Sequence, residues 1–159
     1  MPEARPGATV AIDAPLEAVW AVMTDVGAYG AWNPFLFRVE CPSPPKPGDP
    51  IVLHVRWRNG RTTRSPERVT VVDPPHEDGE ITRATLAYVY EGLPARIGLV
   101  RGTRFQRLSQ VRGGPTVYET VEEFSGPLVP LAGPRRVADG FSRHAEALKE
   151  RVESLGHSR

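Results

Sequence analysis

The C-terminal part of the chain constrains the fold most. A strand-like run, Thr116 to Phe124, ends at Ser125 and Gly126 and leads through a proline-broken hinge into a long amphipathic helix. The apolar residues of this helix recur in steps of three or four, which places them in one stripe. The stripe consists of Val137, Phe141, Ala145, Leu148, Val152 and Leu155. Because such a stripe must cover an apolar surface, we predict a curved sheet that grips the helix, with a cavity between them.

The composition is that of a globular domain. The chain has 159 residues, of which 40% are hydrophobic and 25% are charged, and a chain of this length buries roughly two thirds of its unfolded surface. We predict one domain over 1–159, with a flexible segment at 1–7 and a frayed tail at 156–159.

The charge gives no indication of a polyanionic partner. The formal net charge is +1, so no global field attracts nucleic acid or an anionic membrane, and we expect neither nucleic-acid binding nor stable membrane insertion. Four arginines do cluster around a predicted hairpin. We interpret them as a solvated hairpin face, with an anion-binding patch as the alternative; they are Arg56, Arg58, Arg61 and Arg64.

The predicted location is the cytoplasm. Cys41 is the single cysteine, so the chain cannot form an internal disulfide, and a reducing compartment fits this composition. The segment Met1 to Thr9 lacks the apolar core of a signal peptide, and no later run reaches the ~20 apolar residues of a membrane span.

The N-terminal third contains one strand, two short helices and a further strand. Residues 8–13 favour a strand, and Asp13 to Pro15 predict a capped helix that runs to Val26 and stops at Gly27. The segment Tyr29 to Phe35 favours a second short helix or turn, because Pro34 disfavours helical backbone at the residue before it. A strand at 36–40 and a proline-rich surface loop at 42–50 follow.

The middle of the chain is predicted to form an antiparallel meander. Residues 51–58 alternate with Ile51, Leu53, Val55 and Trp57 on the core side. Asn59-Gly60 then predicts a type I′ hairpin turn. Further strands are predicted at 67–72, 81–90, 100–108 and 116–124. The connections are too short for parallel crossovers, so we predict an α+β fold with about six or seven antiparallel strands.

Four segments accompany this order of elements: Ile12 to Pro15 with Val19 and Trp20, Trp32 to Phe35, Val72 to Pro75, and Glu122, Phe124 and Gly126. With them, nearly the whole chain resembles the START-like, or SRPBCC, superfamily with its helix-grip (START/Bet v 1-like) fold. The resemblance implies a deep, mostly apolar cavity between sheet and helix. Because the superfamily includes polyketide cyclases, dehydrases and non-enzymatic binders, the resemblance does not fix a reaction.

Glu122 is the first catalytic candidate. Tyr118, Thr120, Glu122 and Phe124 share one face of the last strand, and Phe124 with the family-like ending indicates that this face looks inward. A carboxyl group inside an apolar chamber has a raised pKa and serves as a general acid or base. The alternative is an ion pair with Arg104 that only stabilises the fold.

Arg104 and His144 are the other two catalytic candidates. An inward Arg104 would bind an enolate or carboxylate oxygen through its fork of donors, whereas an outward one would face water. His144 lies beside the apolar stripe, where it would carry protons at neutral pH. The alternative for His144 is a packed ring hydrogen-bonded to a carbonyl group.

An aromatic wall is predicted around the ligand. The cluster Trp32, Asn33 and Phe35 combines two rings with one amide, which suits the lining of an entrance, although plugging of the core explains it as well. The further candidates for ligand contact are Trp57, Tyr88, Tyr90, Tyr118, Phe124 and Phe141.

No cofactor or metal is predicted. The sequence has no glycine-rich phosphate loop, HExxH motif, paired cysteine motif or nucleophile elbow, and its four histidines are dispersed. We therefore predict a monomer or homodimer that binds a small hydrophobic, aromatic or polyketide-like molecule. Three roles remain open: acid/base cyclisation or dehydration, non-enzymatic carriage or sensing of a lipid or metabolite, and protein interaction with a filled core.

Overall fold

The sheet dominates the architecture. The structure is a computed structural model that describes residues 2–157. The described residues form eight strands: β1 (Glu3–Ala4), β2 (Gly7–Ile12), β3 (Leu36–Glu40), β4 (Pro50–Arg56), β5 (Thr62–Asp78), β6 (Ile81–Tyr90), β7 (Arg101–Val111) and β8 (Thr116–Ser125). The helices are α1 (Leu16–Thr24), α2 (Leu93–Arg96) and α3 (Pro134–His157), with 3₁₀ helices at Val26–Ala31 and Val129–Ala132.

All strand pairs are antiparallel. The order is β1-β8-β7-β6-β5-β4-β3, and β2 also pairs with β8. Helix α3 packs along β2 and β8 and also contacts α1. The predicted helix-grip fold is thus confirmed. The sheet has eight strands where about six or seven were predicted, and the additional one is β1, which is only two residues long.

The helix stripe is confirmed except at its end. Side chains from Val137 to Val152 in the stripe are buried, whereas Leu155 is 40% exposed, because the last turn of α3 extends beyond the buried stripe. Within the predicted frayed tail, Gly156 and His157 continue the helix. Ser158 and Arg159 lie outside the described residues.

The N-terminal segment pairs with β8. Within the range 1–7, for which the sequence predicts flexibility, Glu3 and Ala4 pair with Ser125 and Phe124 of β8, and Gly7 belongs to β2. Met1 lies outside the described residues. The exposed edge of β8 supplies the backbone partners that this short segment needs.

The start and end of the first helix differ from the prediction. Asp13 does not cap α1; Pro15 with extended backbone precedes the helix, and the N–H of Leu16 donates to Oε1 of Gln110 on β7 at 3.1 Å. A side chain from the sheet thus satisfies the helix terminus. The helix ends at Thr24, and Gly27 lies inside the 3₁₀ helix that follows.

Two turns in the sheet also differ. The hairpin between β4 and β5 is confirmed, but its turn is not type I′, because Gly60 has a φ of +85° and Asn59 does not have a positive φ. Strand β5 does not stop at Pro74 and Pro75. It continues to Asp78, because a register shift between Asp73 and His76 places both prolines in an irregularity of the β5–β6 ladder.

Close packing of Gly140 on Phe35 yields a stability prediction. A Cβ atom at Gly140 would lie closer than 3.0 Å to three atoms of the Phe35 ring, which is buried and contacts Trp57 and Phe141 edge-on. Alanine favours helix over glycine by about 1 kcal/mol, but overpacking costs about 1–3 kcal/mol. Since the ring must shift out of its edge-on contacts with Trp57 and Phe141 to admit the new methyl group, we expect Gly140→Ala to lower the free energy of unfolding by at least ~1 kcal/mol.

Urea denaturation measures this effect. Gly156→Ala is the matched control on the same helix, because nothing lies within 4 Å of its Cβ position, and it should leave stability unchanged or raise it. A Gly140→Ala protein as stable as the control would contradict the close packing.

Candidate functional site

A cavity of about 400 Å³ lies between the sheet and α3. Its wall is mainly apolar, with side chains such as Leu53 and Val55 from β4 and Val137 from α3. Polar side chains interrupt this wall, namely Thr63, Ser65, Glu67, Tyr90, Arg104 and Glu122. Arg64 and Arg136 also border the cavity but are exposed, so water screens their charges.

Arg104 is held rigidly in the cavity wall. It points inward from β7 and is 2% exposed. Its Nε donates to Oγ1 of Thr120 and its Nη1 donates to the hydroxyl of Tyr88, both at 2.9 Å. The guanidinium carbon lies 4.3 Å from the centre of the Phe141 ring on α3. The remaining nitrogen, Nη2, has no hydrogen-bond partner within residues 2–157, so Arg104 keeps one donor for a ligand.

Two tyrosines position Arg104 from behind. The hydroxyl of Tyr118 donates to Oε1 of Gln106 at 2.6 Å, and Nε2 of Gln106 donates to the hydroxyl of Tyr88 at 3.1 Å. Burial by itself lowers the pKa of Arg104, but the phenol groups of Tyr88 and Tyr118 and the carboxyl group of Glu122 raise it above its ordinary value. The guanidinium therefore stays charged.

Glu122 occupies the inward face of β8, as the alternation predicts. It lies opposite Arg104 in the β7–β8 ladder and is 8% exposed. No salt bridge between these two side chains is found within the described part of the chain, so the predicted alternative of a closed ion pair has no support. Burial, followed by the charge of Glu67, holds the pKa of Glu122 well above its ordinary value, against the lowering effect of Arg104.

Glu67 is a second buried carboxyl group that the sequence reasoning missed. It points into the cavity from β5, where its Oε2 accepts a hydrogen bond from Oγ of Ser65 at 2.9 Å. Its Oε1 has no partner among the described residues. Burial raises the pKa of Glu67 to about 7, although the Ser65 hydrogen bond and Arg104 both lower it. Extending the alternation back from buried Val69 by two residues would have found it.

His144 lies behind the cavity wall. Its Nδ1 accepts a hydrogen bond from Nδ2 of Asn33 at 2.8 Å, and its ring stacks on Tyr118. Its Nε2 has no partner in residues 2–157. Burial, with a smaller contribution from Arg104, lowers the pKa of His144 well below its ordinary value, so the ring is neutral. The geometry therefore gives no support to His144 as a proton carrier for the cavity.

Asn33 has a structural task. Its Oδ1 accepts hydrogen bonds from the backbone N–H groups of Phe35 and Leu36, both at 2.9 Å. With its amide nitrogen on His144, Asn33 joins the turn before β3 to helix α3. The sequence also allowed a hydrogen bond from His144 to a carbonyl group. In the structure its ring nitrogen bonds the side-chain amide of Asn33 instead.

The aromatic candidates fall into two groups. Those that line the cavity are Phe35, Trp57, Tyr90, Phe124 and Phe141. Those that do not line it are Trp32, Tyr88 and Tyr118, which pack with Asn33 and His144 or hold Arg104. The sequence thus identified aromatic residues on the concave side of the sheet but did not separate the cavity wall from the layer behind it.

Residues 2–157 contain neither a metal-binding cluster nor a membrane-spanning helix. No group of three or more His, Cys, Asp or Glu side chains is arranged to hold a metal ion. None of the helices there combines the length and apolarity that a membrane-spanning helix requires.

Comparison by sequence assigns a family. Residues 7–153 match the sequence profile described as "Polyketide cyclase / dehydrase and lipid transport". A comparison with curated proteins found no significant match.

Comparison by structure agrees on the fold. The Zhui aromatase/cyclase from a Streptomyces species is similar with a TM-score of 0.72 and 19% identity, over 97% of this chain and 96% of that chain. A START superfamily protein from Mycobacterium smegmatis gives 0.65 and 18%, over 95% and 98%. The major latex-like protein 151 from Panax ginseng gives 0.71 and 10%, over 94% and 97%. At these identities the likeness establishes the fold alone.

Proposed function

The chain belongs to the polyketide cyclase / dehydrase and lipid transport family, and on that premise we propose that its cavity binds a small hydrophobic molecule with an aromatic or polyketide-like skeleton and catalyses its cyclisation or dehydration by acid–base chemistry. Arg104 and Glu122 are the residues to which we assign this chemistry.

One observation carries the proposal. A guanidinium and two carboxyl groups are buried in an otherwise apolar wall, and the described side chains leave Nη2 of Arg104 and Oε1 of Glu67 without partners. Burying a polar group without a hydrogen bond costs roughly 1–3 kcal/mol, and burying a charge costs more. A container for an inert apolar molecule has no need of such groups, whereas a ligand with a carbonyl oxygen for Arg104 and a hydroxyl group for Glu67 would satisfy them.

The arrangement suits a reaction that proceeds through an enolate. Arg104 would donate through Nη2 to the oxygen on which negative charge develops, and its fixed position means that little reorganisation accompanies the reaction. Glu122 in its ionised form would take a proton from the carbon next to that carbonyl group, and its raised pKa makes it a stronger base than an ordinary carboxylate. The apolar wall excludes water, which strengthens both interactions.

Native mass spectrometry of the purified protein, followed by denaturing extraction, tests whether the cavity holds a ligand. We expect a retained aromatic or polyketide-like molecule in the wild-type protein. In Val55→Trp the larger side chain would take up space in the cavity that the ligand needs, so retention should fall at least about tenfold, the lower bound for a one-methylene misfit in a hydrophobic pocket. A matched control is Val117→Trp on the outward face of β8, where Val117 is 37% exposed.

The outcomes separate the candidate roles. Equal retention in both variants would contradict binding in the cavity. Retention without turnover of the extracted compound class would favour the carrier over the enzyme, which the word "transport" in the family description also covers.

A further inference from the structure

Two buried carboxyl groups share a single buried cation. Arg104 is the one buried guanidinium or ammonium group among the described side chains, while Glu67 and Glu122 are both buried. One guanidinium neutralises one carboxylate. If both carboxyl groups were ionised, a net negative charge would remain in an apolar wall, which is costly. Charge balance therefore favours one proton held between the two.

A glycine gives the two carboxyl groups access to each other. Glu122 lies on β8 and Glu67 on β5, with β7 and β6 between them. A Cβ atom at Gly102 of β7 would lie only 2.6 Å from Oε1 of Glu122, so this carboxyl group leans across β7 over the bare glycine, towards the middle of the sheet. On the same concave surface, Glu67 lies opposite Tyr90 of β6. Because the sheet curves, both groups face one cavity.

We propose that Glu67 and Glu122 share one proton and act together on the bound molecule, the ionised one as base and the protonated one as acid. The reacting molecule rests on the proposed function, but the shared proton is a property of the empty protein. Glu67 thereby becomes a second acid–base residue, in addition to Glu122.

The proton count closes for a dehydration. The ionised carboxyl group takes the proton from the carbon next to a carbonyl group, and the C–H electron pair forms the enolate whose oxygen Arg104 binds. The enolate then expels a β-hydroxyl group, which takes the proton of the other carboxyl group and leaves as water. The pair has gained one proton and lost one, so it again holds one, with the roles of the two residues exchanged.

The surroundings fit a pair that titrates as a unit. The groups that face it are the guanidinium of Arg104 on β7, the phenols of Tyr88 and Tyr90 on β6 and the hydroxyl of Ser65 on β5. Arg64 and Arg136 lie at the exposed border. The charge of Glu67 raises the pKa of Glu122, as repulsion between like charges requires.

The test is a pH titration of the ligand-free protein by ¹³C NMR of labelled glutamate carboxyl groups. We expect the resonances of Glu67 and Glu122 to move together in a step near neutral pH, with one proton still bound to the pair at pH 6. In Glu67→Gln the joint step should disappear, and Glu122 should bind its proton about tenfold more weakly, because the repelling charge is gone. Glu119→Gln on the outward face of β8 is the control and should change neither resonance.

Stability provides a second readout. The pKa of Glu67 is raised from 4.5 to about 7 in the folded protein, so the stability it contributes is present at pH 4.5 and is lost as the pH rises through 7. The urea midpoint of the wild type should therefore fall over this interval, and it should fall less in Glu67→Gln than in Glu119→Gln. Independent titration of both carboxyl groups below pH 5, with equal pH slopes in the two variants, would overturn the shared proton.

The experiments distinguish a failure of the proposed function from a failure of the shared proton. If no compound is turned over but the joint titration is observed, the proposed function fails and the carboxyl pair stands as a proton-sharing site. If a substrate is turned over and Glu67→Gln leaves both kcat and its pH profile unchanged, Glu67 is not an acid–base residue. A lower kcat with a shifted pH profile supports the pair.

Discussion

Glu122→Gln is expected to lower kcat for cyclisation or dehydration by about 10²–10⁴-fold, the contribution typical of a positioned general acid or base. The amide has nearly the shape of the carboxyl group, so the cavity wall is preserved. The amide cannot take a proton from the substrate. Because it is uncharged, it also adds no negative charge beside Glu67. Ligand affinity should therefore stay within about threefold of the wild type, which places the loss in the chemical step.

The measurement compares kcat and KM for a substrate of the class extracted from the protein. Glu119→Gln changes the same residue type on the same strand but on its outward face, so it should retain full kcat. A Glu122→Gln protein that loses affinity and kcat in equal proportion would indicate a binding role. Full activity in both variants would contradict the assignment of Glu122.

The sequence predicted those features that local pattern determines. Alternation placed Ile51, Leu53 and Val55 on the core side of β4, and the same rule placed Glu122 inward on β8. The spacing in α3 identified its buried face as far as Val152. These predictions succeed because period and burial are coupled within a single element.

The failures involve partners that are distant in the sequence. Gln110 caps α1 from β7, and β8 orders the N-terminal segment, but neither contact leaves a local signal. His144 is buried and neutral because residues from other elements surround it. Glu67 was missed because the residues that precede it on the same face of β5 are not apolar, and a carboxylate in such a run is typical of an exposed position. Its burial depends on how far the sheet curves around α3.

Arg104→Met is expected to weaken binding of an anionic aromatic probe about 10- to 100-fold, since a hydrogen bond to a charged group contributes roughly 1.5–3 kcal/mol. The probe is 1-anilinonaphthalene-8-sulfonate, and its neutral counterpart is N-phenyl-1-naphthylamine, which has the same aromatic skeleton without the sulfonate. Methionine replaces the stem of the arginine but offers no donor. Affinity for the neutral compound should therefore change less than about threefold.

The comparison of the two probes isolates the free donor of Arg104. Fluorescence titration gives both affinities, and urea denaturation establishes that each variant is folded. Arg104→Lys keeps the charge but loses the fork, so it should bind the sulfonate with intermediate affinity. Arg107→Met removes an arginine that lies over Phe105 on the opposite face of β7 and should leave both affinities unchanged.

The pH dependence of stability in Arg104→Met also tests how the site balances its charge. Without the guanidinium, Glu67 and Glu122 face each other without a counter-charge, so both should bind protons at higher pH than in the wild type. The Arg104→Met protein should then lose stability more steeply between pH 6 and pH 8, because both carboxyl groups must stay protonated in the folded state. Equal weakening of both probes, with an unchanged pH slope, would mean that Arg104 shapes the cavity without presenting a charge to its ligand.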